Sequence, residues 1–417
     1  MSHFSVAVRR FTRDTFVSFG VRNYRLYYAG QIISTSGTFM QSVAQAWLVL
    51  KLTNSATALG ILSALQYIPI LLFGTVGGVV ADRFSKRTIL YLTQSAAGLL
   101  ALVLGILVAT NLVTLWMVYI LAFLLGWVTV FDNPARQTFV LELVGEARLR
   151  NAVTLYSTLV NLSRVIGPTL AAVLIASIGI APCFILNGIS YIAVVIMLAL
   201  MRTSELHVTP PVTGVKGQLR EGIRYVRTTP ILLNTLLMLF IVGMLTYEFQ
   251  VSLPILAEFT FNSGASGYAF LSASLGLGAV IGGLAVASQR KYSAALLVLA
   301  AFLFGATVLI AALMPTLFLS GMLLVLAGAC SIYFTSLGNT ILQLSSSPQM
   351  RGRVMSFWSM AFLGSTTIGG PLVGWFAQTF GDRWGLAIGG LAGLAAGLLG
   401  LINLRNTHSD SEGSSQS

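Results

Sequence analysis

The chain has 417 residues, of which 56% are apolar and only 9% charged, and its mean hydropathy is +0.86. A soluble domain carries roughly 25% charge, so this inventory excludes a water-facing globule, and the apolar excess also excludes an intrinsically disordered chain. The formal charge of +12 would point to nucleic acid in a soluble protein, but the placement of the basic residues gives it another meaning.

Apolar runs set against breakers predict an all-α polytopic membrane fold with twelve transmembrane helices. The spans fall at 24–50, 55–81, 88–110, 112–134, 149–178, 180–201, 230–256, 265–288, 292–313, 315–337, 353–379 and 384–404. Before them, residues 1–22 form a cytoplasmic segment in which Arg9, Arg10 and Arg13 interrupt any signal-peptide core. Phe4, Val8, Phe11, Phe16 and Phe19 among those arginines suggest a surface-lying stretch. Residues 23–201 and 230–404 then make two six-helix halves. They are joined by a cytoplasmic linker, 202–229, with Pro210-Pro211 and a basic amphipathic stretch from Gln218 to Arg227. The polar tail 405–417 reads as disordered.

Loops on one side hold only Lys51 and Arg383, and Arg164 lies within a span, so the other 21 of 24 basic residues share the opposite side. The positive-inside rule makes that side, and both termini, cytoplasmic. The charge is therefore a topology signal, and no nucleic acid is implied. Cys183 and Cys330 sit far apart in apolar runs, and His3, His207 and His408 lie outside every span. Neither a disulfide scaffold nor a metal site is suggested. No phosphate-binding Gly-x-x-x-x-Gly-Lys-Ser/Thr loop occurs, so no nucleotide is expected.

The halves echo each other. Leu149-Arg150-Asn151-Ala152-Val153 returns as Met350-Arg351-Gly352-Arg353-Val354, Ile166-Gly167-Pro168 as Gly369-Gly370-Pro371, and Gly77-Gly78 as Gly282-Gly283. Two related halves place a binding site at their interface near mid-membrane; chance similarity between glycine-rich segments is the competing explanation.

The loop Gly78-Val79-Val80-Ala81-Asp82-Arg83-Phe84-Ser85-Lys86-Arg87 resembles the cytoplasmic signature of the major facilitator superfamily, with Ser85 where the family usually has glycine. The resemblance implies that Asp82, with Arg83, Lys86 and Arg87 beside it, braces an inner gate. Its partners would be the helix start near Arg353, where a carboxylate is favoured, or Arg136. The alternative is a purely topogenic basic loop. Gly167-Pro168 in span 5 is similar to the Gly-Pro element of the family's antiporter branches, although Ala171 and Ala172 replace the glycines that normally follow. Proline bends a helix, and Gly370-Pro371 repeats the pair in span 11; a packing kink explains both equally well. Phe131-Asp132-Asn133-Pro134-Ala135-Arg136-Gln137 and Asn23-Tyr24-Arg25-Leu26-Tyr27-Tyr28-Ala29-Gly30-Gln31 resemble the drug:proton antiporter branch, which includes macrolide-efflux proteins and enterobactin exporters.

In span 1, Gln31, Ser34, Thr35, Thr38, Gln41, Ser42 and Gln45 recur at three- and four-residue steps and share a helical face. Amides facing lipid are costly, so the stripe faces either a neighbouring helix or a wet cavity. Three glutamines favour the cavity, with Asn161, Gln66, Tyr67 and Tyr156 extending the same wall and Trp358, Ser365, Thr366 and Thr367 opposite. A charge at mid-depth costs on the order of 3 kcal/mol, so Glu248, Asp132 and Arg164 each need a partner, water or a use. We expect Glu248 to carry a coupling proton, with Asp132 as second choice, and Arg164 to hold an anionic cargo group or offset a carboxylate. A structural contact is the alternative for Glu248.

The expected function is a monomeric secondary transporter of the inner membrane, not an enzyme, with the proton in place of any cofactor. It would export a small amphipathic molecule (a drug, a macrolide or a siderophore such as enterobactin) by proton antiport and alternating access. Import of a polar metabolite is the alternative.

Overall fold

The computed structural model describes residues 17–207, 218–288, 292–347 and 350–413. The stretch before residue 17, most of the proposed surface segment, lies outside the described residues, as do Gln289-Arg290-Lys291. All regular structure among the described residues is helical.

Ten helices are long and apolar enough to cross a membrane. They are span 2 (Ala56–Arg83), span 3 (Lys86–Ala109), span 4 (Leu115–Val144), span 5 (Glu146–Ile178) and span 6 (Ala181–Ala199). The second half supplies span 7 (Pro230–Thr260), span 8 (Gly264–Val286), span 9 (Ala294–Leu313), span 10 (Leu317–Leu344) and span 12 (Trp384–Leu404). Two further helices pack among them. Span 1 (Arg22–Thr53) is lowered in hydropathy by its polar stripe. Span 11 is divided into Arg351–Ser359, a π turn at Met360–Gly364 and Thr366–Phe380. Hydroxyl caps start several helices: Ser55, Ser85, Ser293 and Thr316 each accept from the backbone N–H three residues on. Ser85, the departure from the expected glycine, thus begins span 3 by satisfying an orphan donor. Gly145, at φ +70°, makes the tight turn from span 4 to span 5.

Packing repeats between the halves. Span 2 packs on 4, span 3 on 6 and span 1 on 5 and 6, and in the second half span 8 packs on 10, span 9 on 12 and span 7 on 11 and 12. Across the halves, span 2 meets span 11 and span 5 meets span 8, so each contact maps onto its counterpart when six is added to the span number. The glycine echo has the same basis: a side chain at Gly77 would strike the Val130 carbonyl of span 4, and one at Gly282 the Ala329 carbonyl of span 10. Small residues let helix backbones approach where lipid supplies no hydrophobic drive.

The two ends of the bundle differ. At the end carrying the span 1–2 loop, Gly60 faces the backbone of Gly370 and Pro371, and Gly374 faces Ala56. There Gln378 Oε1 accepts from Ser55 Oγ at 3.2 Å and from the Ala56 N–H at 2.8 Å. At the arginine-rich end no hydrogen bond or ion pair joins described residues of the two halves, and Gly78 has no neighbouring atom within 4 Å of the Cβ it lacks. The molecule is closed at the first end and parted at the second.

Breaks in helical hydrogen bonding fall away from the glycine-proline pairs at which kinks were expected. Helix runs through Pro168 and Pro371, whereas π turns interrupt span 7 at Val242–Thr246 and Leu256–Thr260, and span 11 at Met360–Gly364. The last helix also continues to Gly413, past the expected end at Leu404.

Gly60→Val should keep the closed end from sealing. A Ser55→Cys/Gln378→Cys pair should form an oxidative cross-link readily in the parent chain and several-fold more slowly with Gly60→Val, as followed by gel shift.

Candidate functional site

The site begins with a fault in span 7. After the π turn Val242–Thr246, Tyr247 and Glu248 leave helical geometry, and helix resumes at Phe249–Ile255 with Glu248 as the flanking residue (φ −80°, ψ 39°). The Glu248 carbonyl accepts from the Val251 and Ser252 N–H groups at 3.0 and 2.9 Å and from Ser252 Oγ at 3.1 Å. Glu248 is only 3% exposed, and its Oε1 has no hydrogen-bond partner. Gly369 of span 11 lies against that oxygen, 3.0 Å from where a side chain would begin. Such π interruptions concentrate at functional positions because they displace one residue from the helical surface.

Span 5 supplies Arg164. Its Nε is buried without a partner, and its guanidinium carbon lies 5.7 Å from the centroid of the Phe39 ring, within cation–π range. Beneath it, Gly276 of span 8 allows the two backbones to meet. Both charged residues line one cavity of about 510 Å³ between the halves. No ion pair joins them. Phe39 and Ser42 of span 1, Tyr67 of span 2, Tyr247 of span 7, Tyr268 and Ser272 of span 8 and Phe362 and Thr366 of span 11 complete the walls. Aromatic faces, hydroxyls, one carboxyl and one guanidinium thus surround a space of small-molecule size.

Most of the span 1 stripe binds neighbouring helices, contrary to the expectation that it lines the cavity. The Asn187 amide of span 6 donates to Gln41 Oε1 at 2.7 Å, and the Thr38 and Tyr191 hydroxyls are 3.1 Å apart. Gln31 accepts from Arg136 Nη1 at 2.6 Å. Thr35 Oγ1 is buried without a partner, away from the cavity lining, and Asn161 lies beside Gly283 of span 8. Of the stripe, Ser42 reaches the cavity, and Gln45 reaches a small side pocket shared with Gln66 and Gln250. An amide buried between helices is satisfied there as well as by water, and the repeat pattern alone does not distinguish the two.

Asp132, the second proton candidate, is fully engaged. Its Oδ1 accepts from Thr93 Oγ1 and Gln94 Nε2, each at 2.7 Å, while its Oδ2 accepts from Arg136 Nε at 2.9 Å and from Nη2. The remaining gate residues also brace the first half internally. Lys86 pairs with Glu142 at 3.2 Å, both buried. Arg87 donates to the Leu198 and Ala199 carbonyls at the end of span 6, where cations suit the helix terminus. Asp82 and Arg83 are exposed and make no ion pair among the described residues, and Arg353 pairs with Glu221 of the linker. The brace expected between Asp82 and Arg136 or the start of span 11 is thus not formed in this conformation: Arg136 is taken up by Asp132 and Gln31, and Arg353 by Glu221. Pro168 lines the cavity beside Arg164, while Gly167 packs on span 1 and Gly370 and Pro371 on span 2.

Phe39, Tyr268, Ser272 and Gly276 went unrecognised from sequence. The last three recur every four residues on span 8, a stripe that helical periodicity could have revealed.

Against known proteins, residues 14–417 match the family model described as transmembrane secretion effector. Similar proteins include the staphyloferrin A transporter of Staphylococcus aureus (23% identical, covering 86% of this chain and 90% of that protein). The macrolide efflux protein A of Streptococcus pyogenes is 24% identical over 90% and 95% of the two chains, and the enterobactin exporter of Shigella flexneri 27% over 84% of each. Among solved structures, a POT family transporter in complex with 5-aminolevulinic acid has a similar fold, with a TM-score of 0.75 at 13% identity over 92% of this chain and 96% of that one. These are membrane transporters rather than enzymes. The chain belongs to the transmembrane secretion effector family of the major facilitator superfamily.

Proposed function

We propose that this transporter exports a small amphipathic molecule across a bacterial inner membrane in exchange for protons. The observation that carries the reading is the pair Arg164 and Glu248. They face one interhelical chamber, each with a buried polar atom lacking a partner and with no ion pair between them. A buried charge without a partner is retained where it is used.

Arg164 offers a guanidinium fork to a carboxylate, phenolate or carbonyl of the cargo, and Phe39, Tyr67, Tyr268 and Phe362 offer ring faces to its apolar part. Glu248 holds the proton: its carboxyl is the acid that faces the chamber, and it alternates between the protonated and the charged form as the chamber opens to either side. The arginine-rich end is cytoplasmic by the positive-inside rule, so both termini face the cytoplasm and the described conformation admits cargo from that side. Rocking of the halves about the 2–11 and 5–8 seams then exposes the chamber outward, where cargo leaves and Glu248 takes up a proton. Return to the inward-open state releases that proton to the cytoplasm. The chain acts as a monomer, since the chamber is complete within one copy. Macrolides and enterobactin, the cargoes named for two of the related proteins, combine apolar surface with clustered oxygen groups.

Three variants test the reading in proteoliposomes and in an efflux-deficient host challenged with macrolides and assayed for secreted chelators. Glu248→Gln should abolish cargo efflux driven by a pH gradient while leaving cargo counterflow intact; gradient-driven efflux at the parent rate sinks the proton assignment. Arg164→Ala removes a charged hydrogen bond of about 1.5–3 kcal/mol, raising the half-saturating cargo concentration roughly 10- to 100-fold. Asp132→Asn breaks a buried ion pair at a cost of about 3–5 kcal/mol; it should lower the melting temperature yet leave the remaining transport coupled to protons. Sided vesicles separate export from import.

A further inference from the structure

Outside the chamber, a groove of about 400 Å³ lies beside the arginine-rich end. Its walls come from both halves and from the linker. Leu71 of span 2 faces Phe357 and Met360 of span 11, and Phe240 of span 7 and Val226 of the linker helix Gln218–Thr228 complete it. Arg227 is its sole charged lining residue.

The linker helix is bound to the second half. Glu221 pairs with Arg353 Nη1 at 2.6 Å, the Ser347 N–H donates to the Tyr225 hydroxyl at 3.1 Å, and Gly222 lies on the Phe357 ring. Arg224 and Arg227 project from the same helix, exposed, and neither guanidinium has a partner among the described residues. An amphipathic helix with apolar residues on one face and unpaired arginines at its edge lies at the membrane boundary, where arginines attract anionic headgroups. Arginine matches phosphate oxygens in bidentate fashion.

We propose that this groove is a binding site for one anionic phospholipid, with an acyl chain between spans 2, 7 and 11 and the phosphate and acidic headgroup on Arg224 and Arg227. Because Leu71 and Phe357 belong to different halves, closing the arginine-rich end narrows the groove. The bound lipid therefore favours the state in which that end is parted, and the coupling is reciprocal.

The test uses the full chain in nanodiscs of phosphatidylglycerol and phosphatidylcholine in equal amounts, with retained lipid read by native mass spectrometry. It needs no identified cargo and does not depend on the proton assignment. The parent chain should retain phosphatidylglycerol in preference to phosphatidylcholine, and the preference should fall about fivefold per arginine in Arg224→Gln/Arg227→Gln. Leu237→Trp, at an exposed position on the groove wall, should exclude the lipid by filling the groove with both charges kept. Spin labels at Phe84 and Ser356, both exposed at the arginine-rich end, should report longer distances in phosphatidylglycerol than in phosphatidylcholine, and the difference should vanish in the double variant. Equal retention of the two lipids, retention unchanged in the variants, or label distances indifferent to lipid would each overturn the proposal.

Discussion

A charge in an apolar interior must be neutralised by a neighbour or kept beside water, because hydrocarbon offers it neither. The chain has few such charges, and the structure divides them into two kinds. Asp132 with Arg136 and Lys86 with Glu142 are buried pairs inside the first half, the former reinforced by Thr93, Gln94 and Gln31. They tie spans 1, 3 and 4 together and leave no valence for cargo. Glu248 and Arg164 are the other kind. They stand in a cavity between the halves, each with an unsatisfied atom. The rigidity of the first half and the reactivity of the chamber thus come from one rule applied in dry and wet surroundings.

The seams between halves obey a different constraint. Glycine meets backbone at Gly60 with Gly370 and at Gly276 with Arg164, contacts that depend on the absence of a side chain rather than on any polar bond. Such surfaces slide or part without leaving buried donors unsatisfied. Hydrogen bonds between the halves are confined to Gln378 at one rim among the described residues. Within each half, by contrast, polar bonds such as Asn187 to Gln41 hold the helices in register. Strong links inside the halves and weak ones between them are what the proposed rocking about a central chamber requires.

Span 7 joins these two features. Its π turn and the non-helical pair Tyr247-Glu248 put the carboxyl against Gly369 of span 11, which carries its own π turn at Met360–Gly364. The Tyr247 and Phe362 rings meet edge to face at 4.7 Å between centroids. The group proposed to hold the proton therefore touches span 11, the helix that meets span 2 of the first half, so a change in its charge is felt at the seam between the halves.

How much of this was legible in the sequence follows from which interactions are local. Span number, membrane class and the internal repeat were readable because hydrophobic runs, arginine placement and recurring Gly77-Gly78 and Gly282-Gly283 are properties of the chain itself. Glu248 and Arg164 were legible as intramembrane charges needing a purpose. The partners of Gln31, Gln41, Asp132 and Lys86 were not, because a polar stripe shows that a helix face avoids lipid without showing whether water or another helix receives it. The π turns escaped too: Gly243 and Gly364 lie within two of them and Pro254 just before the third, but glycine and proline recur throughout the spans and do not by themselves mark where a helix changes its hydrogen-bond step. The sequence by itself determined that twelve helices repeat six and six and that three charges, Asp132, Arg164 and Glu248, lie within the spans. Only the tertiary structure decided which polar groups satisfy one another and which are left facing the chamber, because hydrogen bonding and desolvation depend on neighbours supplied by other helices, such as Thr93 for Asp132 and Asn187 for Gln41.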